Sequence, residues 1–337
     1  MADRLTGAAR VLVTGANGFV GRALCVQLAR RGFAVRGAVR KISNAAGFSG
    51  EVVEMADISE DADRSSAFDG VDAVVHLAAR VHRMRDNVAD PLAAFRAVNM
   101  QGTLRLGRAA AAQGVKRFVY LSSINVNGIF TQPGQVFTAD DPPAPVEAYG
   151  VSKHEAEQAL RQLAAETGLE LVVIRPALVY GPGVKANFLA MMRWLHRGVP
   201  LPLGAINNHR SLLALDNLLD LIATCLHHPN APNQTFLASD GEDLSTTALL
   251  RRAAAALGRP ARLIPVPVPV FRAAARLVGK ADFAERICGS LQVDIGKTRA
   301  LLGWAPPVSV DEGLKQAAQH FLKSIRGNAE SQKKGSF

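Results

Sequence analysis

The segment Thr14-Gly15-Ala16-Asn17-Gly18-Phe19-Val20-Gly21 constrains this chain most. Its glycines have GxxGxxG spacing, between the apolar run Arg10-Val11-Leu12-Val13-Thr14 and a helix-like stretch, Arg22 to Arg31. Gly15 allows a tight turn, Gly18 removes a Cβ where a pyrophosphate approaches the backbone, and Gly21 lets helix and strand pack closely. The helix start then offers free N–H groups and the positive end of a dipole to phosphates. Gly15, Asn17, Gly18, Phe19, Val20 and Gly21 are therefore read as dinucleotide contacts. Glycines also mark ordinary turns; the strand before and the helix after distinguish this one.

The rest of the chain repeats that alternation. Val35 to Val39, Val52 to Met55, Val71 to Leu77, Val115 to Ser122 and Leu169 to Ile174 read as strands, and Pro91 to Gln113 and Ala148 to Thr167 as helices. Unbroken apolar strands separated by helices predict an α/β fold, a Rossmann-type doubly wound parallel sheet buried on both faces. Beyond Tyr180 the pattern loosens. Leu212 to Leu226 looks helical, Leu244 to Leu257 is a helix capped by Ser245 or Asp243, and alternating Pro and Val over Leu263 to Val270 forbid a regular central strand. Leu277 to Ile295 is expected to add one helix and a short strand. The boundaries drawn are 1–180 and 207–235 for the dinucleotide domain, 181–206 and 236–325 for a smaller C-terminal α/β substrate domain, and 326–337 for a flexible polar tail.

Composition narrows the classes. At 337 residues, 48% hydrophobic, the chain can bury a large core. Three scattered cysteines (Cys25, Cys225, Cys288) show no metal-ligand spacing and suit the reducing cytoplasm. No apolar run is long enough to span a membrane. The formal charge is +10, but aromatics are only 6% and no basic stripe is interleaved with them, which argues against nucleic acid. A small anionic substrate fits better. A membrane-surface role for the basic stretch Phe271 to Lys280 ranks below it.

The end of the second strand bears on the cofactor. An acid there would accept hydrogen bonds from a ribose and repel a 2′-phosphate. The sequence instead reads Val35-Arg36-Gly37-Ala38-Val39-Arg40-Lys41. Positive charge, with Arg40 best placed to pair with a 2′-phosphate, favours NADP(H) over NAD(H). A solvated basic turn is the plainer alternative. Asp57, with Ile58 beside it, could touch adenine or be an ordinary loop acid.

Tyr149-Gly150-Val151-Ser152-Lys153 opens a predicted helix. Residues four apart share a face, so Tyr149 and Lys153 can address one point. A nearby ammonium is expected to lower the tyrosine's pKa toward working pH and make it a general acid/base. Ser123, just past a strand's C-terminal end, could hold the reacting oxygen beside it. A surface Tyr and Lys is the bland alternative for such a pair on its own.

Gly15/Gly18/Gly21, His76-Leu77-Ala78-Ala79, Asn99, Ser122-Ser123, Tyr149/Lys153 and Arg175-Pro176-Ala177-Leu178-Val179-Tyr180-Gly181-Pro182 occur in order. From about residue 10 to 320 the chain resembles the extended short-chain dehydrogenases/reductases, in their nucleotide-sugar epimerase/dehydratase/reductase group. Phe137 to Pro145 and Ser290 to Asp294 resemble the UDP-glucose 4-epimerase-like subgroup, which includes UDP-4-keto-sugar reductases. The resemblance implies Tyr149 as acid/base, Lys153 on the nicotinamide ribose and on Tyr149, and Ser123 on the substrate oxygen. It adds Leu77, Ala78, Ala79 and Pro176 to the cofactor contacts, with Asn99 cofactor-adjacent or structural. It places Ser123, Asn125, Tyr149, Asn187, Arg210 and Arg286 on a UDP-sugar. Asn187 could equally be a helix cap and Arg210 a surface residue. It also implies a homodimer.

Three departures matter. Asn127 stands where many epimerases have a tyrosine packed by the nicotinamide. Ile124 and Asn125 replace an Asp-Glu pair needed for 4,6-dehydration, and an isoleucine cannot shuttle protons. The missing acid after the second strand favours an exchangeable NADPH. The expected activity is hydride transfer at C4 of a UDP-hexose or UDP-N-acetylhexosamine for surface polysaccharide, tilted slightly to a 4-keto reductase. The alternative is a UDP-glucose or UDP-GlcNAc 4-epimerase with retained NAD. A non-catalytic NADP-binding sensor is the third reading. Ser290 and Leu291 are expected near the sugar's C2 group, with room for N-acetyl.

Overall fold

The structure is a computed structural model that describes residues 9–45, 48, 50–81 and 89–334. The described residues form ten strands: β1 Arg10–Thr14, β2 Ala34–Val39, β3 Glu51–Glu54, β4 Ala73–His76, β5 Arg117–Leu121, β6 Glu170–Pro176, β7 Leu178–Tyr180, β8 Arg210–Ala214, β9 Gln234–Ala238 and β10 Asp243–Leu244. Seven make one parallel sheet in the order β3-β2-β1-β4-β5-β6-β9. The order reverses between β1 and β4, and the crevice at that switch point is where doubly wound sheets take ligands.

The helices are α1 Phe19–Arg30, α2 Pro91–Phe95, α3 Thr103–Ala112, α4 Ala148–Thr167, α5 Ala186–Arg197, α6 Leu215–His227, α7 Thr246–Ala256, α8 Val268–Leu277, α9 Ala281–Cys288, α10 Gly296–Leu302 and α11 Val310–Lys334. Leu24 and Leu28 of α1 and Leu218 and Ile222 of α6 cover one face of the sheet. Leu106 of α3 and Leu160 and Leu163 of α4 cover the other. Two-sided burial is why β1, β4, β5 and β6 read as unbroken apolar runs. A second core gathers Tyr180, Phe188, Met192 and Leu250 with Leu314 and Phe321 of α11 around the small β10-β8-β7 sheet.

Several expectations change. The run from Leu212 is not helical throughout: β8 occupies Arg210–Ala214 and the helix starts at Leu215. Both pieces are buried all round, so periodicity cannot tell them apart. The Pro91–Gln113 helix is interrupted by a π-helical turn, Arg96–Gly102, which carries Asn99. β9 extends to Ala238, past the boundary drawn at 235. Among the described residues after α9 there is no strand, only single bridges from Ser290, Leu291 and Val293 to Thr131, Arg210 and Phe137. The polar C-terminal stretch, expected as a tail from 326, stays helical to Lys334. Ser245 caps α7, accepting from the Ala248 N–H at 3.0 Å. Trp304 is core, with Nε1 donating to Asp220 at 2.8 Å.

Candidate active site

At the end of β1, Gly15 has φ +67°, and a Cβ there would lie 2.9 Å from the Ala78 nitrogen. The turn thus runs against the Leu77-Ala78-Ala79 segment that follows β4. A Cβ on Gly21 would stand 2.2 Å from the Gly15 carbonyl oxygen, so α1 seats on the turn only with glycine there. Helix α1 begins after Gly18 with no side chain bonded to its first N–H groups and no acid in its first turn. That bare start suits an anion, and the dinucleotide fits the turn.

The two strand ends are tied by a buried relay. Thr14 Oγ1 and His76 Nδ1 are 2.7 Å apart, and His76 Nε2 and Thr103 Oγ1 2.9 Å. The Leu77 and Ala78 N–H groups donate to Thr14 Oγ1 at 3.2 and 3.3 Å. Burial first, and then the Lys153 charge, push His76 down from 6.5 to about 3. The folded protein therefore keeps His76 neutral while the unfolded chain protonates it. Stability is full above about pH 6.5 and is lost as pH falls toward 3, at about 1.4 kcal/mol per pH unit. His76→Gln bonds the same neighbours without titrating. Its unfolding free energy, measured by urea titration at about pH 6 and about pH 4, should fall less steeply than wild type by the equivalent of one proton.

Asn99 is fully buried and spent on protein. Its Oδ1 accepts from the Arg80 N–H at 2.8 Å, and its Nδ2 donates to the Arg80 carbonyl at 3.1 Å and Ser152 Oγ at 3.0 Å. It joins the loop after β4 to α4, which favours the structural reading over cofactor contact.

Helix α4 carries Tyr149 and Lys153 one turn apart. A Cβ on Gly150 would stand 2.6 Å from the Asn125 carbonyl oxygen, so a glycine lets α4 close onto the short turn Ile124–Val126. This brings the Tyr149 hydroxyl into hydrogen bonding with Ser123. Phe95 meets the tyrosine ring edge-on at 5.9 Å between centroids. Lys153 is buried; its Nζ donates to the Leu121 carbonyl at 2.7 Å and lies 4.4 Å from the centre of the Tyr120 ring.

The expected lowering of the tyrosine does not hold. Burial pushes Tyr149 up to about 12, with the Ser123 hydrogen bond opposing. Burial pulls Lys153 down to about 7, and the Glu157 carboxylate one turn further on opposes that. At both groups desolvation outweighs the favourable interactions.

Behind helix α4 lies a buried network. Arg175 clamps Glu157 with two bonds of 2.9 and 2.6 Å, Ser122 donates to Glu157 at 2.6 Å, and Arg175 Nη1 donates to Asn127 Oδ1 at 2.9 Å. Asn127 Nδ2 donates in turn to the Thr138 carbonyl. Asn127 is thus turned into this network, which accounts for its departure from the tyrosine pattern. Neither Gly150 nor Glu157 was singled out from sequence. A glycine inside an otherwise helical run was the available signal for the first. An apolar-face glutamate four residues after Lys153 was the signal for the second.

At the end of β2 the positive charge is partly spent. Arg36 is buried, with Nε on Glu51 at 2.8 Å and Nη1 on the Ala67 and Asp69 carbonyls at 3.0 Å each. It cannot meet a cofactor phosphate. Arg40 is exposed and pairs with Asp57 at 3.2 Å. Asp57 is held below the usual carboxylate range, first by the Ser59 N–H and then by the Ser59 hydroxyl and Arg40. Ile58 is buried against Gly102. Pro176, at the end of β6, is buried too.

On the substrate side the structure brings Arg210 and Arg286 together. Arg210 Nη1 donates to the Arg286 and Gly289 carbonyls at 2.8 and 3.2 Å. The Arg286 guanidinium pairs with Glu147, two residues before Tyr149. Asn187 is exposed in the first turn of α5, whose cap is Lys185, so Asn187 is not the cap. Leu291 is buried in the core and does not face a sugar as expected, while Ser290 is half-buried and its hydroxyl accepts from the His209 N–H.

Known proteins give the same picture. The sequence profile of the NAD dependent epimerase/dehydratase family matches residues 11–238. A UDP-glucose 4-epimerase of Vibrio cholerae is 46% identical over 316 residues, 93% of this chain and 96% of its own length. Two crystal structures share the fold. A UDP-glucose 4-epimerase of Thermotoga maritima with UDP-glucose has TM-score 0.74 and 23% identity, covering 94% of this chain and 99% of its own. A UDP-glucuronic acid 4-epimerase of Bacillus cereus with NAD has TM-score 0.74 and 20% identity, covering 93% and 99%. With a profile match over more than half of the chain, and a relative 46% identical along nearly its whole length, this chain belongs to the NAD-dependent epimerase/dehydratase family.

Proposed function

We propose that this protein is a 4-epimerase of UDP-hexoses that keeps NAD(H) bound through each turnover. The observation that carries this is the 46% identity, along nearly the full chain, to a UDP-glucose 4-epimerase. The 4-keto reductase reading rested on a basic end to β2. Its support weakens with Arg36 locked inside the fold and Arg40 beside an acid, since a 2′-phosphate would have to displace Asp57 from Arg40. Ile124 is buried and carries no proton, which speaks against dehydration.

The turn Gly15–Gly21 and the start of α1 would hold the cofactor's pyrophosphate, and Lys153 its nicotinamide ribose. The bound dinucleotide supplies a reversible acceptor for the hydrogen and electron pair leaving C4. Ser123 holds the C4 oxygen beside Tyr149. Tyr149 takes the hydroxyl proton as C4 becomes a ketone, and gives it back to the oxygen once the sugar has turned its other face. Burial holds Tyr149 near 12, and positive charge brought beside it with the cofactor would favour the phenolate and oppose that burial. Arg210, Arg286 and Asn187 are the residues for the UDP diphosphate and sugar.

The test combines two readouts. Purified protein, with no added cofactor, should interconvert UDP-glucose and UDP-galactose by NMR, and should release NAD on denaturation. Release of nothing, together with NADPH consumption on a 4-keto sugar, would restore the reductase. A second expectation concerns Asp57. Asp57→Ser frees Arg40 and removes the repelling charge, so NADP binding should tighten by about tenfold, the equivalent of one surface-accessible charge-assisted bond. Calorimetric titration of NADP reads this directly, and unchanged affinity would remove Arg40 from the adenosine site.

A further inference from the structure

Charge is not spread evenly over this chain. Residues 251–286 hold eight arginines and lysines and two acids (Asp282 and Glu285), a net +6 of the chain's +10. The same segment carries strongly exposed aliphatic side chains. Leu277 is 88% exposed and Val278 70%. Along α8, Val270, Ala273, Ala274 and Leu277 follow one another at helical spacing, and all are exposed. The opposite face, with Phe271 and Ala275, packs inward, and Arg272 ties α8 to α9 through Glu285 at 2.9 Å. The helix thus has an apolar stripe turned outward, flanked by exposed Arg276 and Lys280. Exposed Phe283 on α9 extends the apolar surface.

Amphipathic helices with aliphatic or aromatic tips and flanking Lys/Arg are built to lie in the headgroup layer of an anionic bilayer, the apolar side chains entering the acyl boundary and the cations meeting lipid phosphates. A second copy of the chain is a poorer occupant, because a two-fold contact through this face would set exposed Arg276 and Lys280 against their own copies. Nucleic acid is poorer too, because the centre of the face is leucine and valine rather than stacking aromatics.

We propose that the α8–α9 hairpin is a membrane-surface anchor that seats this enzyme on anionic lipid. Its position gives the anchor a use. Arg286 lies on α9 itself and pairs with Glu147 at the start of the catalytic helix. The diphosphate end of the site therefore lies beside the seated face. No helix of the described residues is long and apolar enough to cross a membrane, so the attachment is peripheral and reversible.

The test is co-sedimentation of the full chain with vesicles of phosphatidylcholine alone and with about a third phosphatidylglycerol. Wild type should bind the anionic vesicles, not the neutral ones, and release in high salt. Leu277→Gln/Val278→Gln keeps the charge and removes the stripe; Arg276→Gln/Lys280→Gln does the reverse. Each should weaken partitioning by about tenfold or more, with turnover of soluble substrate and melting temperature unchanged. Absence of binding to anionic vesicles overturns the proposal, as does binding that the Leu277/Val278 change leaves intact, which marks a general polyanion patch. A sedimentation mass that falls from dimer to monomer in that variant also overturns it, and reassigns the face to self-association.

Discussion

Replacing Tyr149 with phenylalanine is expected to cut kcat by about a thousandfold while bound nicotinamide and melting temperature stay near wild type. The substitution keeps the ring that meets Phe95 edge-on and removes only the hydroxyl that bonds Ser123. A positioned acid/base contributes about 10²–10⁴-fold, and in the proposed epimerase the same oxygen both takes and returns the proton. Structural damage would show as lost cofactor or lower stability, so three readouts separate the causes: turnover, NAD content after denaturation, and thermal midpoint. Activity within a few-fold of wild type would remove Tyr149 from the chemistry and leave Ser123 and Lys153 without a proton carrier.

The largest stability effect should come from Arg175→Met. Arg175 and Glu157 are both nearly inaccessible, and their fork of two bonds also anchors Ser122 and Asn127. Removing the arginine takes both close ion-pair bonds from a buried carboxylate and leaves it, as ion-pair partner, only the half-exposed Arg161 at 3.8 Å, which costs about 3 kcal/mol. Urea unfolding should show a lower midpoint with an unchanged slope. The double variant Glu157→Leu/Arg175→Met should regain much of the loss, since the penalty lies in the orphaned charge rather than in the absent pair. That double variant has a second expected effect. Glu157 is what opposes the fall of Lys153 toward neutrality, so without it Lys153 drops further and loses its ammonium at lower pH.

Neither effect could be sized from the sequence. Tyr149 and Lys153 were visible as a pair four apart, and Ser123 as a serine past a strand. The glycine turn was visible because its function needs glycine at fixed spacing. What the residues do to one another was not visible. An ammonium near a phenol lowers its pKa in open water, but both groups sit in the dark of the α4 face, and desolvation reverses the sign. Arg36 and Arg40 look alike in sequence; one is folded into carbonyls and the other reaches solvent.

Local pattern determined the alternation of strand and helix and the glycine turn, and singled out Ser123, Tyr149 and Lys153 as candidates, because each depends on spacing over a few residues. Tertiary structure alone decided which charges are free. It placed Arg36 and Asn127 in interior networks, joined Arg210 to Arg286 from 76 residues away, and turned the apolar stripe of α8 outward. Spacing carries geometry along one element, but burial and charge pairing are set by what other elements bring alongside.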